Sequence, residues 1–268
     1  MIFLAIFIPP LLLVSNTLCL SMSADYETGT LDSGYPDIET LPPVPGRAQV
    51  ETNLTRGGRF AIFHQLYAGD PSVAGSKRCE SDAMKMTNAR IKAGVEVFYG
   101  VTFYIPSTWS FDGDYDDILV QWKGFGGGPF MFITQKHEGL FLRINGNPDP
   151  DYDPGTGEES MTKSQYVITQ SMERGRWHDF RLRVIWDWEL LGAGLVAVDY
   201  KTSKEDDYAR VVSVLGPNMY NREGYLKWGI YKPAWQQGLD YNVTMRKVWH
   251  DNVRIGLSWE DVDPAYDN

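Results

Sequence analysis

Residues 96–105 read EVFYGVTFYI and carry the clearest secondary-structure signal in the chain. Every second side chain from Val95 to Ile105 is apolar, and Pro106 follows directly. Such alternation places one row of side chains against a core and the other row on the opposite face of a β-strand. The segment therefore predicts a long strand that ends at Pro106.

Four further segments alternate in the same way, and helical periodicity never lasts beyond one or two turns. Strands of similar length, separated by loops rich in Gly, Asp and Pro, are typical of an all-β sandwich or jelly roll. At 268 residues such a chain needs only one domain. The predicted core-facing sets are Ile118, Val120 and Trp122; Leu140, Leu142 and Ile144; Phe180, Leu182, Val184 and Trp186; and Val196, Val198 and Tyr200.

The composition favours a sugar-binding protein over a nucleic-acid-binding one. Aromatic residues make up 13% of the chain, and their flat apolar faces suit sugar rings. The formal charge of −10 argues against a general nucleic-acid or anionic-membrane binder. An acidic polymer can bind such a protein only where cations are concentrated locally.

The first 24 residues predict a secretory signal peptide. They contain no charged side chain, and small and polar residues follow the apolar run from Ile2 to Val14. Cleavage is expected between Cys19 and Ala24, and the run is too short to span a bilayer. We therefore expect a secreted, extracellular protein with no membrane contact after signal cleavage.

The rest of the chain divides into two parts. Residues 25–55, rich in Pro, Gly, Asp and Thr, predict an extended N-terminal segment, and residues 56–268 predict the jelly-roll domain. The sequons that start at Asn53 and Asn242 agree with export and with a glycoprotein. We expect the protein to be a monomer.

No cofactor is expected to be required. Asp112, Asp114 and Asp116 have a spacing that could bind calcium, but the remaining ligands of a recognised calcium loop are missing, so a structural calcium ion is kept as an alternative. Once Cys19 leaves with the signal, Cys79 has no disulfide partner and is expected to be a small buried residue.

The segment YLKWGIYK, residues 225–232, separates an apolar face from a polar one. Gly229 in its centre removes a side chain, which indicates that another group approaches the backbone closely, and a bound sugar fits that role. The predicted core-facing residues are Leu226, Trp228 and Ile230, and the outward-facing ones are Tyr225, Lys227, Gly229 and Tyr231.

Two other segments place polar side chains in the same manner. With Ile118, Val120 and Trp122 facing inward, the alternation predicts that Leu119, Gln121 and Lys123 face outward. Arg78 and Glu80, two residues apart, share one face if their segment is extended.

Five short motifs follow one another along the chain: Arg78-Cys-Glu80, residues 96–106 (EVFYGVTFYIP), Gln121-Trp-Lys123, Trp177-His-Asp-Phe180 and residues 225–232. Together they resemble the glucuronan lyases and their heparin-lyase-like relatives among the polysaccharide lyases, over roughly residues 60–253. A more distant similarity to the alginate lyases lies in the order of an Arg-x-Glu strand, a Gln strand and a Tyr-x-Lys-x-Gly-x-Tyr strand. The last of these is the most specific motif.

The resemblance implies a concanavalin A-like jelly-roll β-sandwich with a concave substrate groove, and β-elimination across C4 and C5 of a uronic acid in an acidic polysaccharide. The substrate carboxylate must be neutralised, the C5 proton removed and the departing O4 protonated. Gln121 and Arg78 are the expected partners of the carboxylate, and Tyr231 is the expected acid. The expected substrate-binding residues on the same face are Tyr225, Lys227 and Lys123.

The base is left open between three residues. Where the alginate lyases have Gln-x-His, this chain has Gln121-Trp-Lys123, so their histidine has no counterpart here. His64 is the expected catalytic alternative, and His137, an expected substrate-binding residue, is the second candidate. If neither lines the groove, Tyr231 must serve as both base and acid.

Two other functions compete with a lyase. A retaining glycoside hydrolase of the same fold needs two carboxylates about 5 Å apart. Its usual Glu-x-Asp-x-x-Glu strand is matched only by Glu80-Ser-Asp82-Ala-Met-Lys85, in which a lysine replaces the second glutamate. A non-catalytic, lectin-like module would keep an aromatic groove without needing the hydroxyl of Tyr231.

Overall fold

A computed structural model describes residues 22–111, 114–147, 149, 162–189, 192–220, 222–239 and 242–264. Two antiparallel β-sheets dominate it, together with one short α-helix, α1 (Pro233–Gln236), and two 3-10 turns, Thr87–Ala89 and Glu260–Val262. The strands are β1 (Met22–Ala24), β2 (Glu39–Leu41), β3 (Ala48–Glu51), β4 (Ala61–Tyr67), β5 (Arg78–Asp82), β6 (Glu96–Ile105), β7 (Asp117–Gly124), β8 (Pro129–Lys136), β9 (Gly139–Gly146), β10 (Thr162–Thr169), β11 (Arg176–Ile185), β12 (Leu195–Thr202), β13 (Ala209–Leu215), β14 (Gly224–Tyr231) and β15 (Met245–Gly256).

The two sheets divide the strands almost equally. The back sheet has the order β13-β12-β11-β6-β15-β4-β3, with β1 also paired to β15, and the front sheet has the order β10-β9-β8-β7-β14-β5-β2. Strands that are neighbours in a sheet are often distant in sequence, as is usual when a chain crosses between two packed sheets. The predicted all-β, jelly-roll sandwich is confirmed.

Strand β6 lies near the middle of the back sheet, between β11 and β15. Its inward row, Val97, Tyr99, Val101, Phe103 and Ile105, is buried in the core, as the alternation predicts. Phe103 stacks on Phe180 of β11 with ring centroids 5.1 Å apart. Burial of each such side chain stabilises the fold by roughly 1.5–3 kcal/mol.

One predicted core face is wrong at one residue: Val120 and Trp122 join the core as predicted, but Ile118 does not. The register of β7 against β8 shifts between Ile118 and Val120, and the register of β7 with β14 shifts between Trp228 and Tyr231. An extra residue at a β-bulge reverses the alternation of side chains. As a result Leu119 joins the core, whereas Ile118 lines a cavity on the outer face of the front sheet.

The N-terminal part of the described chain belongs to the sandwich. Met22–Ala24 pair with Ile255, Arg254 and Val253 of β15. Residues 1–21, most of the expected signal peptide, lie outside the described residues. The segment 25–55, expected to be extended, supplies β2 to the front sheet and β3 to the back sheet. Within the described ranges no helix is long and apolar enough to cross a membrane.

Candidate active site

The outer face of the front sheet gathers the predicted site residues on three neighbouring strands, β5, β14 and β7. Strand β14 lies between the other two, so side chains from both flanks can meet above it. The aligned pairs are Tyr231 with Arg78, Gly229 with Glu80 and Lys227 with Asp82 on β5, and Lys227 with Gln121 and Tyr225 with Lys123 on β7.

Glu80 is the centre of this face. Its carboxylate accepts a hydrogen bond from Nε2 of Gln121 at 2.5 Å and one from Nζ of Lys227 at 2.8 Å. A guanidinium nitrogen of Arg78 lies 3.5 Å from the same carboxylate. Glu80, Gln121 and Lys227 are all buried. We call Glu80 with these three donors the Glu80 cluster. The sequence indicates Glu80 only as part of a motif, and its role as an acceptor depends on contacts between strands.

Gly229 makes this cluster possible. Its φ of +143° is unfavourable for residues with a side chain, and a Cβ there would lie 2.4 Å from the carbonyl oxygen of Cys79 and 2.7 Å from Cα of Glu80. The sequence predicts a close approach at this glycine, and the group that approaches is strand β5. The bond between Gln121 and Glu80 crosses β14 at this level, so protein groups occupy the place predicted for a sugar.

Arg78 and Tyr231 form the exposed end of the row. The guanidinium carbon of Arg78 lies 4.4 Å from the ring centroid of Tyr231, which is a cation–π arrangement. Nε of Arg78 is buried and finds no hydrogen-bond partner among the described residues. The side chain is nevertheless 12% exposed, so the guanidinium can contact a ligand beside the Tyr231 ring.

Three buried charges hold the end of β14 behind Tyr231. Nζ of Lys232 lies 3.1 Å from Asp117, and Nε of Arg246 donates to the other carboxylate oxygen of Asp117 at 2.8 Å. Opposite buried charges in close contact are costly to separate. This ion triad anchors the residue next to Tyr231 and joins β14 and β7 to β15.

At the other end of the row lie Lys123 and Tyr225. Burial, followed by the positive charges of Arg78 and Lys227, lowers the pKa of Lys123 to about 8. Burial also raises the pKa of Tyr225 to about 12, so this phenol remains protonated near neutral pH. Tyr225 packs against Phe125 with ring centroids 5.1 Å apart.

The structure does not bring His64 to this face, which corrects its expected catalytic place. His64 lies on β4 of the back sheet, points into the core and is completely buried. Its Nε2 lies 2.9 Å from Oγ of Ser81, and its ring centroid lies 5.4 Å from that of His250. Burial holds the pKa of His64 well below its usual value, so the ring is neutral. The strand alternation that makes Arg78 and Glu80 face outward makes Ser81, and hence His64, face inward.

His137 also lies away from Tyr231. It occupies the turn between β8 and β9 with a φ of +51° and is exposed. It lines a different depression, together with Phe111, Phe141 and Val167. Its place in the groove as a neighbour of Tyr231 is therefore not supported by the fold.

A cavity of about 380 Å³ opens beside Tyr231. It runs across the outer face of the front sheet from β14 to β10, and most of its lining residues lie outside the sequence motifs. The alternation in β9 contained the signal, because inward-facing Leu140, Leu142 and Ile144 imply outward-facing Phe141, Arg143 and Asn145. The lining residues are Asp116, Ile118, Gly128, Pro129, Phe132, Arg143, Asn145, Lys163, Ser164, Gln165, Tyr231 and Pro233.

Within the described part of the chain, no group of three or more His, Cys, Asp or Glu side chains is arranged to hold a metal ion. Asp112 of the alternative calcium site lies outside the described residues. Asp116 instead contacts Arg143 at 3.0 Å.

Comparisons with known proteins agree on the fold. The sequence profile of a family described as polysaccharide lyase matches residues 24–254. An endo-β-1,4-glucuronan lyase from the fungus Trichoderma reesei is similar in structure, with a TM-score of 0.72 and 21% identity, over 91% of this chain and 98% of that chain. A comparison with curated protein sequences finds no match.

Two more distant structures have the same architecture. The marine PL-14 alginate lyase from Aplysia kurodai has a TM-score of 0.58 and 9% identity, over 90% of this chain and 99% of that chain. The catalytic domain of a glycoside hydrolase family 131 protein from Coprinopsis cinerea has a TM-score of 0.55 and 12% identity, over 88% and 89%. Because lyases and a hydrolase share this architecture, the fold alone does not select the chemistry.

Proposed function

We propose that this chain, which belongs to the polysaccharide lyase family, cleaves a uronic-acid-containing polysaccharide by β-elimination, with glucuronan as the favoured substrate. One observation carries the proposal: the cation of Arg78 lies against the ring of Tyr231, at the mouth of a cavity large enough for a sugar. The similarity to a glucuronan lyase supports the choice of polymer.

Arg78 is the residue we assign to the substrate carboxylate. Its side chain is 12% exposed and its Nε lacks a partner among the described residues. Gln121, in contrast, is only 1% exposed and its Nε2 donates to Glu80. The expected direct role of Gln121 is therefore replaced by an indirect one, in which Gln121 and Lys227 hold Glu80 and Glu80 holds Arg78. Neutralising the carboxylate makes the C5 hydrogen more acidic.

Tyr231 is the residue we assign to both proton transfers, since His64 and His137 lie elsewhere. As a phenolate next to Arg78, Tyr231 accepts the C5 proton, and the electron pair of the C5–H bond forms the C4=C5 double bond while the C4–O4 bond breaks. The phenol then gives its proton to the departing O4 and returns to the phenolate. One residue can do both when the C5 hydrogen and O4 leave from the same side of the ring.

The test is to incubate the protein with polyglucuronate, alginate and heparin-type polymers and to follow the ultraviolet absorbance of a 4,5-unsaturated uronate. We expect this chromophore with polyglucuronate. Tyr231→Phe should lower kcat by about 10²–10⁴-fold, the usual contribution of a general acid or base, and leave the fold intact. Tyr67→Phe, on the back sheet, is the matched control. Full activity of Tyr231→Phe would remove this residue from the mechanism.

A hydrolase is the second candidate, because Glu80 and Asp82 share the outer face of β5 and burial raises the pKa of Asp82. Against it, both carboxylate oxygens of Glu80 already accept bonds from Gln121 and Lys227. A hydrolase would release reducing ends without the chromophore. A lectin-like module would produce neither signal.

Export is also part of the proposal. Because Met22–Ala24 form a strand of the sandwich, signal cleavage at or before Ser21 would preserve β1. The N-terminal sequence of the protein recovered from culture medium tests this: a terminus after Ala24 would contradict it.

A further inference from the structure

The cavity beside Tyr231 extends well beyond the residues that act on the cleaved sugar. From β14 it passes over Ile118 of β7 and Phe132 of β8 to Arg143 of β9. Neighbouring strands lie about 4.8 Å apart, so three strand spacings separate β14 from β9. The space between Tyr231 and Arg143 therefore exceeds what one reacting group needs.

Arg143 is a partly exposed cation on β9, toward the β10 end of this cavity. It lies between Phe132 and Gln165 in the register of the sheet, and its side chain is 28% exposed. One guanidinium nitrogen contacts Asp116 at 3.0 Å, whereas Nε is buried with no hydrogen-bond partner within the described residues. A guanidinium has five N–H donors in a planar fork that matches a carboxylate.

The floor between the two ends suits a sugar ring. Phe132 lies in the lining, and the guanidinium carbon of Arg143 is 5.8 Å from its ring centroid. Pro129 and Ile118 add apolar surface to the same cavity. Ring faces of this kind pack against the C–H surface of a sugar, while the cation at the rim selects an acidic substituent.

We propose that Arg143 forms a second carboxylate site, which binds a uronate of the polymer beyond the one that reacts at Tyr231. This inference rests on the proposed lyase function and gives the polymer a path, across the front sheet from β14 towards β10. Asp116 holds the guanidinium in place in the free protein and competes with the substrate carboxylate for it. Arg143 therefore contributes to substrate binding and not to the chemical step.

Arg143→Gln tests this site by steady-state kinetics on polyglucuronate. Loss of one charge-assisted contact of about 1.4 kcal/mol should raise KM about tenfold, with kcat within twofold of the unchanged protein. Arg183→Gln is the matched control, because Arg183 also pairs with a carboxylate, that of Glu96, but on the back sheet. An unchanged KM, or a fall in kcat alone, in a protein that still forms the chromophore would overturn the site and leave the lyase proposal standing.

Asp116→Asn gives a second test with the opposite sign. Without the competing charge, Arg143 should bind the polymer more tightly and KM should fall, whereas a rise in KM would contradict the competition. If the unchanged protein forms no chromophore, the lyase proposal fails. Calorimetric titration of polyglucuronate into unchanged and Arg143→Gln protein then decides the site separately: weaker binding by the variant supports it and equal binding overturns it.

Discussion

Two adjacent residues of β5, Glu80 and Ser81, belong to two different clusters of buried polar side chains. Glu80 faces outward and joins the charges of Lys227 and Arg78. Ser81 faces inward and contacts His64, whose ring packs against His250. Both clusters are buried, but one is ionised and the other is neutral. The difference shows that a titratable group can be buried in two ways: in contact with an opposite charge, or in its neutral form.

The same contrast explains why chemistry is possible on one side only. The Glu80 cluster reaches a cavity through Arg78, which lies against the ring of Tyr231, a residue of the cavity lining. The histidine pair lies between the sheets, where Nε2 of His250 lies 3.2 Å from the carbonyl oxygen of Leu119 and both rings are completely buried. Burial lowers the pKa of His250 to about 3, so its neutral ring is a weak base. Because the ring is also inaccessible, it cannot take a proton from a substrate.

The largest expected effect comes from removing the central charge of the Glu80 cluster. Glu80→Gln leaves the buried ammonium of Lys227 without its counter-charge, so we expect a loss of about 3–5 kcal/mol in the free energy of unfolding, together with a large fall in kcat because Arg78 loses its support. Denaturant unfolding and kinetics measure both. Glu96→Gln, which breaks the exposed pair with Arg183, should cost at most about 1 kcal/mol. Equal losses in the two variants would show that the Glu80 cluster stabilises the fold no more than an exposed ion pair does.

For the neutral pair of His64 and His250 we expect a smaller, pH-dependent effect on the free energy of unfolding. The pKa of His250 is about 3 in the folded protein and about 6.5 when unfolded, so the unfolded state binds more protons and stability falls as pH drops below about 6.5. At pH 5 the expected loss is about 2 kcal/mol relative to pH 7.5. His250→Gln should lose this contribution to the pH dependence of unfolding.

The comparison must be made between variants, because Asp251 titrates in the opposite direction. Burial raises the pKa of Asp251 to about 7, which favours the folded state at lower pH. The difference between the unchanged protein and His250→Gln isolates His250 together with its effect on the neighbouring His64. A variant slope equal to that of the unchanged protein would show that His250 is not held neutral.

The smallest expected effect concerns Lys123, which lies near the Glu80 cluster at the end of the row opposite Tyr231. With a pKa of about 8, Lys123 loses its charge as pH rises from 7 to 9, and a polyanionic substrate loses one attraction. KM should therefore rise over this interval by up to about tenfold. Lys123→Arg stays charged and should keep KM flat. A parallel rise in both proteins would assign the pH dependence to another group.

Much of this contrast was predictable from the sequence. The alternation in residues 225–231 correctly separates Tyr225, Lys227 and Tyr231 from the core, and the spacing of Arg78 and Glu80 correctly assigns both to one face. The position of His64 was not predictable in the same way. A strand's alternation identifies two faces but does not say which sheet the strand joins, and β4 joins the back sheet.

The sequence by itself determined the local part of this protein: the strand periods, the all-β class, the resemblance to polysaccharide lyases and the residues that share a face. Only the tertiary structure decided that Glu80 accepts from Gln121 across β14, that a bulge exchanges Ile118 and Leu119, and that Arg143 shares a cavity with Tyr231. The physical reason is the separation along the chain of the residues involved. Alternation is a property of consecutive residues along one strand, whereas strand order, register shifts and pairing of buried charges arise from contacts between residues far apart in the chain.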